Sequence, residues 1–91
     1  MPVRQKTRQS RNIIGIRVRI ARRGATPPLT QDELSGKLAK LGVQLDRVAI
    51  AKIETGVRSV FDFEVKGFAK ALNIPAAWFL GEEEPVKRRR K

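Results

Sequence analysis

The sequence predicts an all-α domain built from five short helices. Three observations point to that class. No stretch alternates apolar and polar residues as a half-buried strand would, helix-start signatures stand at Thr30 and Asp46, and helix-stop residues stand at Gly42, Gly56 and Asn73.

Residues 12–23 read as the first helix, although this stretch is rich in β-branched isoleucine. At about 100° per residue, Ile14, Val18, Ala21 and Ala25 share one stripe, while Ile13, Ile16 and Ile20 form a second. A surface helix needs a single apolar face. The second stripe is therefore expected to be covered by the C-terminal segment or by another subunit. Pro27 and Pro28 break the pattern. Thr30 then suits an N-cap, Glu33 completes a Thr-x-x-Glu capping box, and Leu29 and Leu34 are placed as a hydrophobic staple. Leu34, Leu38 and Leu41 predict one buried stripe along the second helix, running until Gly42.

Asp46 suits the N-cap of a third, short helix, with Leu45 and Ile50 again in staple positions. Its period turns Ile50 and Ile53 inward and leaves Arg47, Val48, Ala51 and Lys52 outward, and Gly56 is suited to the C′ position. A fourth helix follows from about Asp62, with Val65, Phe68, Ala69 and Leu72 on its buried side and Asn73 to end it. Pro75 suits the first position of a final turn, Ala76 to Leu80. Trp78, Phe79 and Leu80 are too apolar for water and are expected to dock on the core.

Ninety-one residues suit one small domain. There is no cysteine and no histidine, which removes disulfides, thiolate metal sites, the commonest metal ligand and the commonest general base. None of the three serines, Ser10, Ser35 and Ser59, stands beside a plausible base. Neither catalysis, nor a metal, nor a cofactor is expected. The uncharged stretch Ile74 to Gly81 is far short of a membrane span, and the basic N-terminus lacks the apolar region of a secretory signal, so a cytoplasmic location is expected.

The net charge is +11, and its distribution is uneven. Residues 1–11 hold Arg4, Lys6, Arg8 and Arg11 without an acid, and residues 85–91 hold Lys87, Arg88, Arg89, Arg90 and Lys91 without an acid. The remaining eleven basic residues face all nine acids and leave +2. The expected organisation is a basic flexible arm over 1–11, a folded domain over 12–81 and a charged flexible tail over 82–91. A cationic arm supplies phosphate contacts that are independent of sequence.

An ordered set of residues carries a resemblance. It comprises Ile14-Gly15, Ala21-Arg22, Leu29-Thr30-Gln31-x-Glu33-Leu34, Ile50-x-Lys52-Ile53-Glu54-x-Gly56-x-Arg58 and Phe68-Ala69-x-Ala71-Leu72. Residues 14–81, about three quarters of the chain, resemble the Cro/lambda-repressor type of helix-turn-helix domain, the xenobiotic-response-element family. That resemblance implies a helix-turn-helix made by the second and third helices, with the third in the major groove of DNA. It places Gln31 against a phosphate, through its side chain and a helix-end N–H. Arg47, Val48, Ala51 and Lys52 become the base contacts. Arginine matches guanine O6 and N7, the two apolar side chains can meet a thymine methyl, and Lys52 can reach guanine or a phosphate. Arg22 and Glu54 correspond to a structural ion pair between the first and third helices. Arg58 becomes a phosphate clamp with the backbone N–H groups of Thr55 to Val57.

The chain departs from the family's pattern in one respect. Gln31 and Glu54 lie 23 positions apart, several more than the commonest spacing. A second helix with an extra turn or a longer linker would absorb the difference, and Leu38 and Leu41 favour the longer helix. The Pro27-Pro28 loop is also longer than the tight turn usual there.

The function implied is a sequence-specific transcriptional regulator, in the repressor role, binding double-stranded DNA as a homodimer on a two-fold operator. The second stripe of the first helix, or Trp78 and Phe79, is available for the dimer interface. The alternative is an antitoxin that binds a partner toxin and represses its own promoter. A purely charge-driven RNA or membrane-surface binder is disfavoured, because the caps and the outward helix would be superfluous to it.

Overall fold

The computed structural model describes residues 13–81, and the expected arm and tail lie outside them. Five helices follow one another: α1 (Gly15–Gly24), α2 (Gln31–Lys40), α3 (Arg47–Glu54), α4 (Asp62–Leu72) and α5 (Ala76–Phe79). No strand occurs among the described residues.

The helix starts follow their capping chemistry. At α2, the Glu33 N–H donates to Thr30 Oγ1 at 3.0 Å and the Thr30 N–H donates to Glu33 Oε1 at 2.8 Å, closing a reciprocal capping box. At α3, the Ala49 N–H donates to Asp46 Oδ1 at 2.8 Å. By contrast, α1 begins three residues later than its periodicity suggests, after Ile14 in the cap position. No side chain there accepts an N–H and no acid stands in the first turn, so nothing local holds an earlier start.

The ends are equally explicit. Gly42 has φ +83° and Gly56 has φ +82°, conformations that cost a residue with a Cβ. In both, the following N–H reaches back: Val43 donates to Leu38 O and Val57 to Lys52 O, each at 2.9 Å. Asn73 ends α4 in the left-handed region at φ 57°. Pro75 caps α5 instead of occupying its first turn, and only Ala76 to Phe79 are helical.

One core joins all five helices. It contains Ile14, Val18 and Ala21 of the α1 segment, Leu34 and Leu38 of α2, Ile50 and Ile53 of α3, Val65 and Phe68 of α4, and Phe79 of α5. Val43 and Leu45, in the connection between α2 and α3, are also buried there. Ser35 Oγ donates to Leu45 O at 2.7 Å and ties that connection to α2. At the far end, Arg17 Nη1 donates to Trp78 O at 2.9 Å, and its guanidinium stands 4.9 Å from the Trp78 ring centroid.

Two apolar residues lie elsewhere than expected. Leu41 is 45% exposed, because α2 ends at Lys40 and the added sequence length is taken up in the six-residue connection 41–46. Leu80 follows the end of α5 and is 48% exposed, whereas Phe79 beside it is fully buried. The second stripe of α1, expected to meet the C-terminal segment or another subunit, is exposed within the described residues: Ile13, Ile16 and Ile20 are 61%, 59% and 54% exposed.

Candidate functional site

The site is built on α3 and on the two helices that hold it. Ile50 and Ile53 anchor one side of α3 in the core with no exposed surface. A helix held on one side must present the other. Arg47, Val48 and Lys52 are exposed and Ala51 is half-buried, so the four side chains share the outward side. Two cationic groups and two small apolar ones therefore stand on a helix fixed at both ends by caps. Arg47 Nε lies 3.7 Å from Asp32 Oδ1 of α2, and both side chains are largely in solvent, a pairing of little energetic weight.

Glu54, the last residue of α3, is the hub behind this surface. Arg22 Nε donates to its Oε2 at 2.7 Å and Arg22 Nη2 to its Oε1 at 2.9 Å, a bidentate pair between α1 and α3. Arg22 Nη1 also donates to Leu29 O at 2.9 Å, which pins the loop before α2. Gln31 Nε2 donates to Glu54 Oε1 at 3.1 Å, so the first residue of α2 is held against the same carboxylate. Burial works against the charge on Glu54, but the bonds from Arg22 and Gln31 and the arginine's charge outweigh it and hold the carboxyl below its ordinary value. The bond to Glu54 likewise raises Arg22 above its ordinary value in spite of burial.

The residues after α3 are placed differently from the clamp that the resemblance implies. Arg58 Nη1 and Nη2 donate to Glu64 Oε1 and Oε2 at 3.0 Å and 3.1 Å, and Nη1 also donates to Ser59 O at 2.8 Å. Arg58 thus fastens the connection to α4 with the face expected to meet a phosphate. The Thr55, Gly56 and Val57 N–H groups donate to Ala51 O, Ile53 O and Lys52 O, so the expected backbone donors are spent in closing α3. Thr55 Oγ1 also turns back to the helix, 3.1 Å from Ala51 O and 3.2 Å from Lys52 O. Glu64 is not marked as a site residue by the sequence alone. It receives the Phe61 N–H at 3.0 Å as well as Arg58, and these partners lower its carboxyl against the opposing effect of burial.

Arg19 is likewise not marked as a site residue by the sequence. Its Nε stands 3.5 Å from Glu54 Oε1, an ion-pair distance, yet this buried nitrogen has no hydrogen-bond partner among the described residues. The available signal was its place three residues before Arg22 on one helix, where two like charges imply a shared counter-charge.

Among the described residues, no helix is long and apolar enough to cross a membrane, and no group of three or more His, Cys, Asp or Glu could hold a metal ion. Comparison with known proteins finds no matching family model, no matching curated protein and no matching solved structure.

Proposed function

We propose that this chain is a sequence-specific, duplex-DNA-binding transcriptional regulator of the Cro/lambda-repressor kind. In this reading α2 and α3 form the helix-turn-helix, and α3 enters the major groove. One observation carries it: Arg47, Val48, Ala51 and Lys52 project together from a short, doubly capped helix whose opposite side, Ile50 and Ile53, is locked in the core. The major groove admits a helix, and its base edges offer acceptors to arginine and lysine and a methyl group to small apolar side chains. Arg47 is the leading base contact, with Val48, Ala51 and Lys52 completing the patch. Gln31 is a phosphate contact at the edge of the site. The net charge of +11 supplies long-range attraction to a polyanion.

A single short helix reads few base pairs, so the active species is a homodimer on paired half-sites. The uncovered stripe of Ile13, Ile16 and Ile20 also favours a second reading, an antitoxin whose α1 packs against a toxin while α3 holds the promoter. In vitro selection from random duplexes followed by footprinting tests the main reading. The selected pool converges on an inverted repeat with half-sites about one helical turn apart, roughly 34–36 Å. A pool with no enriched sequence contradicts it.

A further inference from the structure

Resting on the DNA-binding reading above, we infer that Arg19 is a phosphate contact, forming with Gln31 a backbone-binding edge beside the last turn of α3. Three groups converge on one carboxylate oxygen, Glu54 Oε1: Arg22 Nη2 at 2.9 Å, Gln31 Nε2 at 3.1 Å and Arg19 Nε at 3.5 Å. Their situations differ. The Arg22 side chain is 10% exposed and gives Nε and both terminal nitrogens to Glu54 and Leu29. The Arg19 side chain is 38% exposed, and its Nε, within ion-pair reach of Glu54, makes no hydrogen bond among the described residues. Two guanidinium groups against one carboxylate leave one positive charge, and it sits on the more exposed partner.

The position of that charge follows from α3. At about 100° per residue, Glu54 lies on nearly the same line along the helix as Arg47 and beside Ala51. The first turn of α2 runs along this edge, with Asp32 beside Arg47 and Gln31 beside Glu54. Arg19 continues the edge onto α1. A helix in the major groove is flanked by sugar-phosphate strands, and contacts to them set its register. Arg19 is held at Nε by attraction to Glu54, so its charge is presented at a fixed place on that flank.

The test compares the full chain with Arg19→Ala and Arg19→Lys on a selected duplex and on a random duplex over a range of salt. Arg19→Ala lowers affinity for both duplexes by a similar factor and flattens the slope of log affinity against log salt by about 0.9, the value for one lost phosphate contact. Arg19→Lys keeps the slope. A purely structural role for Arg19 would lower the melting temperature and leave the slope unchanged, and that result overturns the inference. Because Arg19→Ala disturbs Glu54 and could unfold the domain, a second measurement uses single neutral methylphosphonate substitutions. One position weakens both the unaltered protein and Arg19→Lys, whereas Arg19→Gln is insensitive to it. Equal sensitivity of the unaltered protein and Arg19→Gln at every position also overturns the inference. If the unaltered protein shows no preference for the selected duplex, the DNA reading itself fails; a preserved preference with an unchanged slope removes Arg19 alone.

Discussion

Arg22 and Glu54 join α1 to the end of α3 through two parallel bonds of 2.7 Å and 2.9 Å, with both residues buried. Removing one partner leaves the other charge buried without compensation. Glu54→Ala is therefore expected to lower unfolding stability by about 3–5 kcal/mol. Urea denaturation at neutral pH measures it, and a loss below about 1 kcal/mol would show that water replaces the carboxylate at little cost.

The same carboxylate sets an acid limb. Glu54 and Glu64 are both lowered in the folded state, so their stabilisation is fully present above the unfolded glutamate value of about 4.3 and is lost as pH falls through the folded values. The urea midpoint is expected to hold between neutrality and about pH 5 and to fall at lower pH. Glu54→Gln flattens that fall. A midpoint that declines mainly between pH 7 and pH 5 in the parent protein assigns the transition to other groups.

Arg58 gives a test of role. Its bidentate bond to Glu64 predicts that Arg58→Ala costs about 1–3 kcal/mol of stability, since a buried carboxylate loses its partner. The salt slope of DNA binding stays near the parent value. A flattened slope with unchanged stability would return Arg58 to the phosphate-clamp role.

Gly67 lies where α4 crosses the end of α2. A Cβ there would stand 2.8 Å from Val43 Cγ2 and 3.3 Å from Leu38 Cδ2. Alanine gains about 1 kcal/mol in helix propensity, but overpacking costs about 1–3 kcal/mol. Gly67→Ala is expected to lower the melting temperature, and adding Val43→Ala is expected to make the alanine at 67 less costly than it is alone. Independent, additive effects in the double-mutant cycle would contradict the contact.

The helices of this chain were legible wherever local chemistry decides them. Thr30 and Asp46 accept the N–H groups expected of caps, and Gly56 turns the chain at positive φ after α3. Burial was legible inside helices and failed just past their ends. Leu41 keeps the sequence period of Leu34 and Leu38, but the turn at Gly42 has already taken the backbone off the helical path. Leu80 follows α5 in the same way. In the candidate site, the outward set on α3 follows from periodicity, because Ile50 and Ile53 leave one orientation. The partners of Arg58 and Arg19 did not follow. Glu64 lies six residues from Arg58 across a connection, a spacing with no helical or strand meaning, and Glu54 reaches Arg19 only through tertiary packing of α1 on α3.

Arg47→Ala decides whether α3 reads base edges. Affinity of the parent and the variant is measured on a selected duplex and on a random one at the same salt. A base-reading Arg47 gives a loss of roughly 1–3 kcal/mol on the selected duplex, with binding to the random duplex largely kept. Equal losses on both duplexes, or no loss on either, would contradict it.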